Sequence, residues 1–290
     1  MRFFKKKRYI IIAIATLIAA ILFYAFSIEP NLFVVTEHRL NLETAVDRSR
    51  LKLVQISDLH LKKFDDRARK IADKVNQLQS NIILFTGDSI DKAEQLSGFE
   101  QFLSQLDRQT TKYAILGNWE YWAGVDLTAL KKLYTTYNCR LLVNETALYK
   151  QGDRQLLITG VDDLVGKPNL LASLQKIEPQ PNHLLLAHSP AYRDAFSPAE
   201  LKILSAYQPQ YMLSGHTHGG QLAFFGFVPL RPPNSGNYVS GWYRGSPISL
   251  YVSRGLGVSV LPARIGTVPE ISYFEWSLKS QGSYCVCYRL

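Results

Sequence analysis

The chain has 290 residues, with 33 Lys plus Arg against 24 Asp plus Glu, a formal net charge of +9, 47% apolar residues and 3 cysteines. The apolar fraction excludes a disordered or collagen-like chain, and three cysteines without a CxxC pair exclude a disulfide-stapled scaffold. Five cations (Arg2, Lys5, Lys6, Lys7 and Arg8) precede residue 9, and removing them leaves only +4, so no basic face for nucleic acid is expected.

Behind this basic tip, residues 1–8, lies YIIIAIATLIAAILFYAF, Tyr9 to Phe26, without a charge. At about 1.5 Å per residue a helix of this length approaches the ~30 Å hydrocarbon core of a bilayer, so a transmembrane signal-anchor helix is expected over 9–26. The cations precede the helix and acids follow it (Glu29, Glu37, Glu43), which by the positive-inside rule leaves the tip in the cytoplasm and the rest extracytoplasmic. A cleaved signal peptide needs a small-residue site, for which Ala25-Phe26-Ser27 is poor, and a buried core helix would not follow a terminal charge cluster. The expected location is the cell (inner) membrane, single-pass, with the cytoplasmic face as the alternative.

Residues 27–50 read as a polar lead-in, and 51–290 as one domain. Short apolar runs there end in polar residues: LKLVQIS before Asp58, NIILFTG before Asp88, YAILG before Asn118, LLITG before Val161-Asp162-Asp163, HLLLA before His188 and YMLSG before His216. Each is expected to be a buried strand. Helical faces fall between them at 66–78 (Ala68, Ile71, Ala72, Val75, Leu78) and 126–137 (Leu127, Leu130, Leu133, Tyr134). This alternation indicates an α/β sheet with ligands at the carboxyl ends of its strands. Later runs, LAFFGFV, ISLYVS, GVSVLPA and EISYFEW, are expected to add further strands.

Seven metal-capable side chains stand at these strand ends: Asp58, His60, Asp88, Asn118, His188, His216 and His218. Imidazole, carboxylate and amide oxygen without thiolate suit Mn²⁺, Zn²⁺ or Fe²⁺. Seven ligands exceed one tetrahedral site but fill two sites sharing a carboxylate. Two divalent ions against Asp58 and Asp88 would leave a net positive centre, which attracts phosphate.

The ordered set DxH (Asp58, His60), GDxxD (Gly87, Asp88, Asp91), GN (Gly117, Asn118), AHSP (His188) and GHTHGGQ (Gly215 to Gln221) resembles the calcineurin-like metallophosphoesterases. GVDD (160–163), YVSRGLG (251–257) and PEI (269–271) are similar to their membrane-anchored bacterial branch. The resemblance implies a four-layer α/β/β/α sandwich. It puts one metal on Asp58, His60, Asp88 and His218 and a second on Asp88, Asn118, His188 and His216, with a metal-bridging hydroxide attacking phosphorus in line. Asp91 would orient a ligand. The implied function is hydrolysis of a phosphodiester or pyrophosphate, with a lipid-linked substrate among the candidates. Membrane-bound relatives of this kind cleave UDP-2,3-diacylglucosamine in lipid A synthesis, a cytosolic substrate that topology separates from an extracytoplasmic one. A metal-binding regulatory pseudoenzyme is the alternative of another class.

Most relatives read GNH where this chain has Gly117-Asn118-Trp119-Glu120. That histidine is commonly assigned to leaving-group protonation, and indole cannot supply a proton near neutral pH. Glu120 and His183 are the candidate substitutes, His183 reading mainly as structural. Asp91 stands where purple acid phosphatases carry an iron-binding tyrosine, and the Arg-Gly pair of Ser/Thr protein phosphatases is absent, so both are excluded. The aromatics at 121–122, 224–227 and 242–243 face either a bilayer or the core, with core packing expected for Phe224 to Phe227. Arg231, Arg244, Arg254 and Arg264 are candidate phosphate ligands, Arg254 first among them. Cys285 and Cys287 read as unreactive strand residues.

Overall fold

The computed structural model describes residues 2–41 and 50–280; Cys285 and Cys287 lie outside them. Helix α1 (Arg2–Phe23) carries the apolar run, starting within the basic cluster rather than at Tyr9, and continues through a π-turn (Tyr24–Ile28) and a 3-10 turn (Glu29–Asn31). The stretch Lys6–Asn31 is long and apolar enough to cross a membrane, and only 6% of its most apolar window is buried. A helix that leaves its apolar side chains uncovered is not a core helix. Its last turns are bonded to the domain: the Ala25 carbonyl accepts from the Arg264 N–H (2.9 Å), and the buried Glu29 carboxylate from the N–H groups of Gly266 (3.0 Å) and Thr267 (2.6 Å).

Strand β1 (Val34–Leu40) follows, inside the segment expected as a lead-in. Then come β2 (Arg50–Ile56), α2 (Asp66–Gln77), β3 (Ile82–Thr86), α3 (Leu96–Gln105), β4 (Thr111–Ile115), α4 (Asn118–Trp122), α5 (Leu127–Thr136) and β5 (Cys139–Leu141). The second half holds β6 (Glu145–Gln151), β7 (Arg154–Gly160), α6 (Leu170–Ser173), β8 (His183–Leu186), α7 (Pro198–Tyr207), β9 (Tyr211–Ser214), β10 (Gly241–Tyr243), β11 (Ser249–Val252) and β12 (Glu270–Ser277). Helix starts carry their caps. Asp65 accepts from the Ala68 N–H (2.9 Å), Asp126 from that of Thr128 (2.8 Å), and Ser197 with Glu200 closes a capping box before Pro198.

The strands form two six-stranded sheets, ordered β1-β12-β2-β3-β4-β5 and β10-β11-β9-β8-β7-β6. The first sheet thus takes its edge strand from the expected lead-in, paired in parallel with β12 from Val34↔Glu270 to Leu40↔Trp276, so the sheet begins before residue 51. Side chains alternate between layers as the period of two requires. Leu51, Leu53, Ile82 and Leu84 meet Ile158, Leu184, Leu186 and Leu213 between the sheets, whereas Val54, Ile56, Ile83 and Phe85 face α2, α3 and α5. Leu185, Met212 and Val252 face the opposite helical layer with Leu170 and Leu204. The result is a four-layer α/β/β/α sandwich, each buried aliphatic side chain contributing about 1.5–3 kcal/mol. Strands β2, β3 and β4 of one sheet, and β7, β8, β9 and β11 of the other, are parallel, and their carboxyl ends meet at one rim.

Two runs expected as strands are loops. Gly226 interrupts 222–228 and Pro229 follows it, and the run folds into a tight turn closed by reciprocal Phe224–Phe227 backbone bonds (2.9 Å each); Pro262 interrupts 257–263. Phe224, Phe225 and Phe227 are exposed, Phe225 completely, which overturns their expected place in the core.

His183 opens β8 fully buried, with Nε2 accepting from Thr159 Oγ1 (2.8 Å) and Nδ1–H donating to the Tyr207 carbonyl (3.3 Å). It is structural, and burial pushes its pKa down to about 4. The unfolded chain protonates this residue below about pH 6.5, the folded chain only near 4, so between those values the unfolded state holds more protons and stability falls as pH falls. This residue alone is expected to remove about 2.5 kcal/mol between pH 7.5 and 4.5. Urea midpoints of the detergent-solubilised protein at both pH values should show a smaller acid shift in His183→Gln than in the wild type; equal shifts would refute the assignment.

Candidate metal centre

The seven side chains singled out at strand ends converge at the common rim. Asp58 and His60 follow β2, Asp88 follows β3, Asn118 opens α4 behind β4, His188 follows β8, and His216 and His218 follow β9. None is more than 4% exposed. Their donor atoms form two groups, Asp58–His60–His218 and Asp88–His188–His216, each spanning no more than 4.8 Å. Asp88 Oδ2 touches both: it lies 3.2 Å from His188 Nε2 and 3.7 Å from His60 Nε2. Asn118 Oδ1 sits 3.2 Å from His188 Nε2 and 2.8 Å from His216 Nδ1.

Three imidazoles are tied outward through one nitrogen. His60 Nδ1–H donates to Asp91, His188 Nδ1–H to the Thr86 carbonyl (2.8 Å) and His216 Nε2–H to the Pro233 carbonyl (2.5 Å). Each bond occupies the outer nitrogen and turns the other toward the cluster, the orientation that metal ligation requires. The carboxylates are oriented too: Asp58 accepts from Ser57 Oγ (2.5 Å) and the His216 N–H (2.8 Å), and Asp88 from the Trp119 N–H (2.8 Å).

Getting these groups to one point strains the chain. Asp58, His60, Asp88, His216 and His218 all have left-handed backbone, with φ between 43° and 72°. Such residues cost on the order of 1–3 kcal/mol each and concentrate at functional sites. Gly87, at φ 90°, permits the turn into Asp88; a Cβ there would lie 2.5 Å from His188 Nδ1.

Charge is distributed unevenly. Burial raises the Asp58 pKa, whereas at Asp88 the effect of burial is outweighed by the protonated imidazoles of His188 and His60, which hold its pKa at about 2; against their own burial, the neighbouring carboxylates raise the pKa values of both histidines in turn. Burial, with His60 and Arg264 adjoining, drives His218 far down, and burial with His188 does the same more weakly to His216, so both stay neutral. With cations taking the place of the protons on His60 and His188, four inward-facing imidazoles, an amide oxygen and two carboxylates fit a pair of divalent ions.

Residues 51–220 match the model of the calcineurin-like phosphoesterase family. The chain belongs to this family. It is a metal-dependent phosphoric ester hydrolase. It is 31% identical over 268 residues to the uncharacterized metallophosphoesterase YkuE of Bacillus subtilis, covering 89% of each chain. It is 26% identical over 263 residues to phosphodiesterase YaeI of Escherichia coli, covering 87% of this chain and 91% of that one. A bovine transmembrane protein with a metallophosphoesterase domain is 27% identical over 242 residues, 77% of this chain and 52% of its own.

In this phosphoesterase Glu120 does not line the cavity beside the cluster. It is buried behind Asp88, where its carboxylate accepts from the N–H groups of Gly117 (2.8 Å), Asp88 (3.1 Å) and Ser89 (2.7 Å) and so clamps two ligand loops together. Burial and the Asp88 charge push its pKa up to about 7. Arg254 is paired: its guanidinium holds Glu270 through Nη2 (2.8 Å) and Nε (2.9 Å). Arg264 is fully buried and donates to the carbonyls of Gly257, Thr267, His218 and Arg254, bracing the loop behind His218. Arg244 stacks over Trp242, 4.7 Å from the ring centroid. Only Arg231 of the four lines the cavity beside the cluster.

Further bracing residues escaped the sequence reading. Asp163 accepts from Ser189 Oγ (2.7 Å), next to His188, and Asp162 from the Tyr121 hydroxyl (2.7 Å), which gives the GVDD motif a structural role. The Pro233 carbonyl that holds His216 has no side-chain signal at all.

The Asp91–His60 bond predicts that Asp91→Ala weakens Mn²⁺ binding about 10- to 100-fold with an unchanged far-UV spectrum. Calorimetric titration of the metal-stripped protein checks this, and wild-type affinity in the variant would exclude an orienting role.

Proposed function

We propose that this phosphoesterase holds two divalent cations on Asp58, His60, Asp88 and His218 and on Asp88, Asn118, His188 and His216, and cleaves a phosphodiester or pyrophosphate bond. The observation carrying this reading is Asp88 Oδ2, placed against imidazoles of both groups. Cations there supply Lewis acidity toward phosphoryl oxygens and bring water to deprotonation near neutral pH. Asp88 offers negative charge to both positions, while Asp58 and the neutral imidazoles complete two neighbouring donor sets. A cavity of about 360 Å³ opens beside them, bounded by Asn118, Trp119, His216, Gln221 and Arg231 among others. Arg231 is exposed at its wall and suits a second phosphate or a non-bridging oxygen as a bidentate donor.

Trp119 narrows the chemistry. It lines the cavity with its ring edge-on to His60 at 5.9 Å between centroids, and it supplies no proton. A leaving group here departs as a stable anion, which favours pyrophosphates and diesters with acidic leaving groups over alkyl monoesters. The N-terminal helix anchors the domain to a membrane, and the basic tip directs the domain to the extracytoplasmic side.

Purified full-length protein loaded with Mn²⁺ is expected to hydrolyse bis(p-nitrophenyl) phosphate. Asp88→Asn should lose at least about 10²-fold in kcat, together with bound Mn²⁺ measured by mass spectrometry. Full metal content with full activity in that variant would sink the dinuclear assignment.

Orientation is tested separately. A C-terminal alkaline phosphatase fusion should be active and a C-terminal green fluorescent protein fusion dark. The reverse pattern would put the domain in the cytoplasm and favour a cytosolic acylated nucleotide-sugar as substrate.

A further inference from the structure

The most exposed apolar surface of the domain lies around the mouth of the metal centre. Phe224, Phe225, Phe227, Leu230, Val260 and Leu261 are between 41% and 110% exposed and come from two neighbouring loops. Elsewhere on the described part of the domain, exposed large aliphatics such as Leu148, Val165, Leu171 and Leu201 are single and scattered. Leu230, Val260 and Leu261 also form the outer wall of the cavity that reaches Asp88, His216 and His218. Clustered exposure of this kind marks a binding surface.

Both loops are tied to the end of the membrane helix. The Ala223 N–H donates to the Ile265 carbonyl (2.8 Å), the Ile265 N–H to that of Gln221 (3.0 Å), and Gln221 Nε2 to that of Leu261 (2.6 Å). The same segment, Arg264 to Thr267, makes the three bonds to Ala25 and Glu29 where the helix leaves its apolar stretch. The turn is built to present an aromatic. Phe225 and Gly226 have φ of 51° and 86°, and a left-handed phenylalanine at full exposure is uncommon and strained. On another side of the helix end, exposed Lys62 and Lys63 line a depression with Pro30 and Asn31, suiting anionic headgroups.

We infer that the loops 224–230 and 260–261 seat in the interface of the bilayer that the N-terminal helix spans, so that the metal centre opens onto the lipid surface and takes a phosphodiester or pyrophosphate carrying acyl chains. The anchor sets the distance and the two loops set the tilt. Acyl chains then lie against the Leu230, Val260 and Leu261 wall while the phosphate enters toward Asp88 and Arg231. The surface part stands on geometry alone; the substrate part rests on the phosphoesterase reading above.

The test uses full-length protein in nanodiscs of phosphatidylcholine and phosphatidylglycerol with brominated acyl chains. Phe225→Trp is compared with Asp153→Trp, in the exposed β6–β7 turn at the opposite end of its sheet, and the wild-type emission is subtracted from both. Emission from position 225 should fall at least about twofold, as for an aromatic at the headgroup–acyl boundary, and that from 153 should not. Equal emission with and without bromine at 225 overturns the inference, including where the loops prove to cover a second copy of the chain.

The substrate arm compares hexadecyl and methyl p-nitrophenyl phosphodiesters in unbrominated nanodiscs. Phe225→Ser with Phe227→Ser should lower kcat/KM for the hexadecyl ester about tenfold and leave the methyl ester unchanged. Equal values for wild type and variant on both esters overturn the acyl-chain assignment. Hydrolysis of neither ester by the wild type refutes the phosphoesterase reading, while the quenching result still decides the surface.

Discussion

The structure turns on the burial of Asp58 and Asp88 among four imidazoles at the point where the parallel strands of two mixed sheets direct their carboxyl ends together. Withdrawing a carboxylate from water is expensive unless cationic or hydrogen-bonding partners replace the solvent. Here the partners come from far apart in the chain. Asp58 takes bonds from Ser57 and the His216 backbone, Asp88 from the Trp119 backbone, and the imidazoles reach outward to Asp91, Thr86 and Pro233. No single strand can satisfy this cluster. It exists because the order of strands in each sheet brings the ends of β2, β3 and β4 opposite those of β8 and β9.

The backbone strain follows from the same requirement. A residue just past a strand end would carry its side chain along the sheet face, and turning it back over the rim puts φ in the left-handed region, as at five of the seven cluster residues. The surrounding hydrogen bonds hold these conformations. Glu120 gathers three N–H groups from the Asp88 and Asn118 loops, and Arg264 gathers four carbonyls from the loops around His218. Two buried ionisable groups that resemble catalytic candidates in the sequence are thus the rigid frame of the site, and preorganisation of this kind is what a charge-stabilising centre needs.

The central strands were legible because both of their faces are buried, which leaves continuous apolar runs such as NIILFT and YMLS, and the cluster residues because each run stops at one. The limits of the reading have equally definite causes. Strand β10 is three residues long, and β6 alternates exposed with buried positions, so neither forms a run. Edge strand β1 was masked by polar residues that its position at the sheet margin tolerates. The aromatic run at 224–227 has the composition of a buried strand, and composition does not state which side chains face protein. Arg254 and Arg264 read as free cations because Glu270 and the carbonyls of Gly257 and Thr267 are joined to them only by the fold.

The indole of Trp119 connects the chemistry of the centre to the shape of its mouth. It stands edge-on to Trp122 at 5.7 Å as well as to His60, so that one aromatic pair runs from the ligand cluster to the exposed rim. A histidine at that position would bring a proton and a hydration shell to the leaving group. A tryptophan brings an apolar wall instead, continuous with Leu222, Leu230, Val260 and Leu261 along the cavity. The exchange removes a proton donor worth about 10²- to 10⁴-fold in rate where the leaving group is poor, and almost nothing where it is a phosphate or other stable anion. On the proposed phosphodiester or pyrophosphate reading, the substitution sacrifices generality toward simple alkyl esters and suits a substrate that is itself part apolar and already carries a good leaving group.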